Sequence, residues 1–215
     1  MKAWDDIWQT EEGQTLFLKP DPLVVSLLPR FKKEGTEKVL DLGFGLGRHA
    51  LLLAKEGFDV YGIDTSPAGL KYAIEWSERE TVTLKLTIGE MGHLPFDSGY
   101  FDLIVAWNVI YHGTAAYIRQ TISEIKRCLR LKGYLLCTLI STQNNNCGRG
   151  EEIERGTFVI AEEREKSYPH HYFDGEEIHR YLRGFALSEC ADVEHRRPGS
   201  FHWHVLARLV SEYED

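Results

Sequence analysis

The chain has 215 residues, 43% of them hydrophobic and 27% charged, with a formal net charge of −8, which suits one globular domain with its own core. The acidic balance argues against a general grip on nucleic acid, which needs a basic face to displace counterions, and no apolar run is long enough to span a bilayer. The start Met1-Lys2-Ala3-Trp4-Asp5-Asp6 is unlike a secretory signal, and Cys128, Cys137, Cys147 and Cys190 contain no CxxC pair, so a cytoplasmic protein with free thiols is expected.

In chain order, residues 1–35 carry Trp4, Trp8 and Phe17 and then a helix with Leu23, Leu27 and Leu28. Lys38–Leu42 reads as a strand, Leu46–Glu56 as a helix stopped by Gly57, and Asp59–Asp64 as the next strand. Ser66 then caps a helix with Pro67 at its first position. Val82–Ile88 and Tyr100–Trp107 follow as strands. Thr114 opens a helix with Ile118, Ile122, Ile125 and Leu129 on one face, ending at Gly133. Tyr134–Ile140 is a buried strand. Residues 141–173 hold a polar stretch too long for an ordinary loop, hence an insertion or lid. Asp174-Gly175-Glu176-Glu177 is a capping box for a helix with Ile178, Leu182 and Phe185. Leu187–His195 and Phe201–Val210, joined by Arg197-Pro198-Gly199-Ser200, form an antiparallel hairpin. Strands alternating with helices predict a mainly parallel α/β sheet covered on both faces.

The most informative run is Val39-Leu40-Asp41-Leu42-Gly43-Phe44-Gly45-Leu46-Gly47. A strand entering a glycine loop and then a helix proposes a nucleotide-like cofactor, because glycine permits sharp turns and close backbone approach. Gly45-Leu46-Gly47-Arg48-His49-Ala50 also fits the GxGxxA variant of the dinucleotide fingerprint, with Asp64 spaced to hold a ribose. Tight strand-to-helix packing with no ligand would use the same glycines. Three features favour S-adenosylmethionine. Asp41, at the strand's end, suits a ligand amino group and opposes a pyrophosphate. Glu90-Met91 suits an adenine edge and face. Leu94-Pro95-Phe96-Asp97-Ser98-Gly99-Tyr100-Phe101-Asp102-Leu103-Ile104 leads into a strand ending at Asn108.

On these segments, and on Glu124–Tyr134, the chain resembles the class I S-adenosylmethionine-dependent methyltransferases, especially small bacterial ones acting on small molecules. The resemblance covers about residues 36–140 and continues more loosely through the hairpin. It implies a Rossmann-like, doubly wound, seven-stranded sheet with an antiparallel last strand, forming one domain over 1–215. It also implies that Asp41, Gly43, Phe44, Gly45 and Gly47 line the methionine part. Asp64 would take the ribose, with Thr65 beside the adenine, Glu90 and Met91 holding the adenine, and Asn108 by the cofactor's backbone. In relatives a segment like that of Trp4, Trp8 and Phe17 closes over the ligands; a hydrophobic brace is the equal alternative.

If the sixth strand runs parallel to the first five, Tyr111, His112, His170, His171, His202, Trp203 and His204 lie at the acceptor rim. Five of the nine histidines are then expected on one face. They are either hydrogen-bonding rim residues or the lining of an acceptor pocket. In the second case His112, then His171, is the expected general base, since imidazole titrates near neutrality. His202 and His204 share a strand face, but HxH without a nearby acid or cysteine is a weak ligand signature, so no metal is expected. The expected function is methyl transfer to an N, O or S atom of a small-molecule acceptor. A nicotinamide-dependent oxidoreductase and a non-catalytic S-adenosylmethionine-binding regulator are the alternatives. Nothing in the chain fixes an oligomeric state.

Overall fold

The computed structural model describes residues 2–11, 15, 17–163, 165–195 and 197–211. Its main sheet is built from β1 (Lys38–Leu42), β2 (Asp59–Asp64), β3 (Lys85–Ile88), β4 (Phe101–Ala106), β5 (Leu129–Ile140), β9 (Phe185–Glu194) and β10 (Phe201–Leu209). The strand order is β3-β2-β1-β4-β5-β10-β9. Neighbours from β3 through β5 pair in parallel. β10 is antiparallel to both β5 and β9, so β9 runs with the first five strands and β10 alone opposes them. The expected seven-stranded sheet with an antiparallel last strand is what forms.

Strand alternation feeds two cores. Val39, Leu103, Val105 and Leu136 face α2 (Pro22–Lys33) and α3 (Arg48–Lys55), packing with Val24, Phe31 and Leu53. Leu40, Ile104, Leu135 and Cys137 face the other way, toward α5 (Ala115–Cys128) and α6 (Gly175–Tyr181), with Ile118, Ile122, Ile125 and Ile178. α1 (Lys2–Trp8) and α4 (Pro67–Arg79) also belong to the fold. Among the described residues, no helix is long and apolar enough to cross a membrane.

The predicted caps are in place. The Ser66 hydroxyl accepts from the Gly69 N–H at 3.0 Å, Thr114 accepts from Tyr117 N–H at 3.3 Å, and Asp174 accepts from Glu177 N–H at 2.8 Å. Several boundaries differ. α3 starts at Arg48 because Gly47 adopts φ +89°. β3 begins only at Lys85. α5 stops at Cys128, and Leu129 opens β5 opposite Phe101, so the chain passes from helix to strand without a loop. Gly133, expected to end that helix, sits within β5, where a Cβ would come 2.9 Å from the Arg130 carbonyl oxygen. Gly184, at φ +80°, follows α6 and sends Phe185 into β9.

The polar insertion folds into a small sheet of its own. β6 (Glu151–Glu154), β7 (Thr157–Val159) and β8 (His170–His171) pair antiparallel in that order. β8 then docks on the segment after β4: His112 and His170 form an antiparallel bridge, and Tyr111 O accepts from His171 N–H at 3.0 Å.

Candidate active site

The carboxyl ends of β1, β2 and β4 meet the loop Gly43–Gly47. Gly43 has φ +71°, and a Cβ there would lie 2.5 Å from Val109 Cγ2, so this turn and its approach to the β4 end both require glycine. Asp64, ending β2, holds the loop in place. One carboxylate oxygen accepts from Gly45 N–H at 2.8 Å and the other from Ser66 N–H at 2.9 Å.

Asp41 is the one acid in β1, 2% exposed, and it accepts from Ala50 N–H at 2.9 Å in the first turn of α3. Burial pushes its carboxyl up to about 7, opposed by the Arg48 guanidinium and the Ala50 amide and reinforced by Asp64. Burial also raises Asp64, against the backbone N–H groups of Gly45, Ser66 and Thr65. Two acids near one cavity wall, Asp41 buried and Asp64 half-buried, favour a cationic ligand. The α3 N-terminus, where a pyrophosphate would otherwise sit, already has a carboxylate on it.

Asn108, just past β4, takes the left-handed conformation (φ +60°). Thr138 of β5 fixes it on two sides, accepting from Asn108 N–H at 2.8 Å and donating to its side-chain oxygen at 3.0 Å. Asparagine tolerates this conformation better than most residues.

These elements surround a cavity of about 810 Å³, its outer part open to solvent. Gly43, Phe44 and Gly45 form one wall; Asp64, Thr65 and Met91 form the second; Trp107, Asn108, Val109 and His112 form the third. Trp4, Trp8 and Phe17 roof it, with Trp8 on Phe17 at 5.1 Å between ring centroids and Trp4 on His112 at 5.6 Å. α1 is pinned there by Asp5, whose carboxylate accepts from the Ser66 hydroxyl at 2.8 Å and from Ala68 N–H at 2.7 Å. A second cavity of about 500 Å³ adjoins the first through Thr65, His112 and Tyr117, and reaches Glu90, Gly113, Tyr168 and Pro169.

Most residues singled out for the cofactor lie on these walls. Asp41 and Gly47 stand one layer behind, Asp41 on the α3 amide and Gly47 at the α3 cap. Glu90 belongs to the second cavity, where it accepts from the Tyr117 hydroxyl at 3.3 Å.

The acceptor-side residues divide. His112 lines both cavities. Behind it cluster Tyr111 at 4.4 Å and His170 at 4.7 Å between centroids, and Tyr111 packs on His202 at 5.6 Å. His204 stands behind Trp107 at 4.9 Å. His171 lines neither cavity: it meets the Thr157 hydroxyl at 2.7 Å and packs on Phe173. Neighbouring strand residues face opposite ways, so β8 can turn only His170 toward His112. Trp203 lines neither cavity for the same reason. It lies between His202 and His204 and donates from Nε1 to Phe173 O at 2.9 Å. Sequence reasoning missed Arg48, His49, Trp107, Val109 and Tyr117 as lining residues; each reaches the cavity from a loop or helix start whose pitch no motif fixes.

His112 has a defined tautomer. Its Nδ1 lies 2.9 Å from Val109 O, a group that only accepts, so Nδ1 carries the proton and Nε2 the lone pair. Burial lowers its pKa, against the pull of Glu165. His202 is pushed down to about 4 by burial and is neutral at physiological pH.

Comparison with known proteins agrees with this geometry. Residues 39–133 match the family model described as a methyltransferase domain. A Geobacillus protein named among the methyltransferases is 34% identical over 117 residues, 54% of this chain and 47% of its own. The chain spans about half the length of the curated relatives it matches first. An S-adenosylmethionine-dependent methyltransferase structure from Methanosarcina mazei aligns with a TM-score of 0.73 at 21% identity, covering 89% of this chain and 98% of that one. The Burkholderia thailandensis 1,6-didemethyltoxoflavin-N1-methyltransferase aligns at 0.67 and 17%, covering 98% and 88%. At these identities the two structures speak for the fold. The loop, the paired acids and the family match agree, and residues 39–133 of the chain match a methyltransferase domain.

Proposed function

We propose that this protein transfers the methyl group of S-adenosylmethionine to an N, O or S atom of a small-molecule acceptor. The observation that carries the reading is the pairing of Asp41 and Asp64 around the glycine loop, which offers negative charge and hydrogen-bond acceptors to an amino acid tail and a ribose. Asp64, Thr65 and Met91 would hold the nucleoside half, and Gly43, Phe44 and Gly45 the methionine half. Asp41 would act on the ammonium from behind the loop, with Asn108 beside it. The cofactor brings the activated methyl group. The protein's part is then to align the acceptor and keep water out.

The aromatic roof and the adjoining cavity support a small acceptor. The net charge of −8 speaks against a nucleic-acid one. Of the two histidines expected as base, His112 is the one that borders the cavity, and its Nε2 lone pair, buried beside Glu165, is the candidate proton acceptor.

The test is a panel of amine, phenol, thiol and metalloid acceptors, read by S-adenosylhomocysteine release. One class should turn over, and His112→Asn should lower its rate by roughly 10²–10⁴-fold with cofactor affinity kept. Release from no acceptor class, with tight cofactor binding, would favour the regulator instead. A full rate in His112→Asn would remove the base.

A further inference from the structure

His112, Glu165 and His170 form the one group of three metal-type ligands among the described residues, their ligand atoms all within 4.8 Å of one another. His112 reaches the group from the loop after β4, Glu165 from the insertion, and His170 from β8. Both imidazoles are set the same way. Nδ1 of His112 donates to Val109 O at 2.9 Å, and Nδ1 of His170 donates to Tyr168 O at 2.9 Å. In the neutral form of each ring the lone pair is then on Nε2, and both Nε2 atoms are buried without a hydrogen bond. They face a single carboxylate oxygen, Glu165 Oε1, at 3.7 and 3.6 Å.

Two lone pairs aimed at a carboxylate oxygen repel unless something positive lies between them. The separations exceed hydrogen-bond length. They are close to the edge of a tetrahedron around a metal with bonds of about 2.1 Å, which is roughly 3.4 Å. Donation of the far ring nitrogen to a backbone carbonyl is also the arrangement that orients ligating histidines. The other Glu165 oxygen lies 3.6 Å from Lys166 Nζ, which leaves Oε1 for the imidazoles.

We propose that His112, Glu165 and His170 bind a divalent first-row transition-metal ion at the acceptor wall. Two imidazoles and one carboxylate suit zinc, iron, cobalt or nickel, and suit magnesium or calcium poorly. Three protein ligands leave coordination positions open, and His112 and Pro169, which adjoins His170, line the second cavity. The ligand class for those positions is an acceptor bearing a hydroxyl or another ionisable donor, whose proton a bound cation makes easier to lose. With the ion in place, His112 is a ligand and the cation takes over the part assigned to its lone pair. This substrate class rests on the methyl-transfer reading; the ion site itself rests on the cluster alone.

The experiment titrates the chelator-treated full chain with Co²⁺, following visible absorption, and measures S-adenosylhomocysteine binding separately by calorimetry. One equivalent should bind with the ligand-field bands of a nitrogen and oxygen set. His170→Ala and Glu165→Gln should each weaken binding at least about 100-fold while S-adenosylhomocysteine affinity is kept. Glu165, with a side chain 33% exposed, is the variant less costly to folding. Absence of stoichiometric binding, unchanged affinity in both variants, or an intense thiolate charge-transfer band from the free cysteines would overturn the site. Failure of S-adenosylhomocysteine to bind, with Co²⁺ still bound, would instead overturn the methyl-transfer reading.

Discussion

Asp41 is a buried carboxyl raised to about 7 in the fold, against an ordinary value of 3.8. The folded protein therefore holds this proton more tightly than the unfolded chain does. The group's contribution to stability is fully present below about pH 4, declines as pH rises, and levels off above about 7. Asparagine keeps an oxygen for the Ala50 N–H and removes the charge. Asp41→Asn should accordingly melt above the parent protein at pH 8, with the gap closing toward pH 4. It should bind S-adenosylhomocysteine roughly 10- to 100-fold more weakly, the loss of about 1.5–3 kcal/mol expected for a hydrogen bond to a charged group. Calorimetry and melting curves at the two pH values check both, and equal affinity would remove Asp41 from the cofactor site. Asp41 and Asp64 were legible in the sequence because burying an acid at the end of an apolar strand is costly unless a ligand or a backbone N–H uses it. Glu165 was not. It lies in a charged stretch, residues 162–166, where one acid looks like the next, and only the insertion's fold selects it.

At the scale of elements, α1 is a seven-residue helix, too short to persist alone in water. Its place over the cavity depends on Trp4 and Trp8 and on the two hydrogen bonds of Asp5 to the start of α4. Because Asp5 is partly exposed, the pair is worth on the order of 1 kcal/mol rather than the full value for charged groups. Asp5→Ala should speed hydrogen exchange across α1 and weaken S-adenosylhomocysteine binding about 5-fold, with the melting temperature of the sheet little changed. Unaltered exchange would show that the tryptophans alone hold the helix. The sequence left two roles open for Trp4, Trp8 and Phe17, and the fold places them on the cavity and over the glycine loop. The facing of β8 was not legible for a simple cause: a two-residue strand has no period from which to read which side chain faces inward.

For the whole molecule, a ligand that binds only the folded state stabilises it by mass action. S-adenosylhomocysteine at about 100 times its Kd should contribute about 2.7 kcal/mol. For a domain of this size that raises Tm by about 5–11 °C. NAD at equal concentration should leave Tm unchanged; the reverse pattern would return the glycine loop to the oxidoreductase reading. The sheet order was legible because each strand and cap carries its own local signal. The way the insertion docks was not, since it depends on main-chain pairing between segments far apart in sequence.

That docking has a consequence for how the chain can vary. The bridge from His112 to His170 ties off a long excursion of the chain, as a clasp closes a strap. Closing such a loop costs entropy that grows only logarithmically, about 0.6 kcal/mol for each doubling of its length. Residues inside the excursion can therefore be added or removed at little cost, whereas the few at the clasp fix the geometry of the wall that His112 gives the two cavities. On the methyl-transfer reading, acceptor preference changes through the strap while the β1 and β2 ends beside the glycine loop stay as they are.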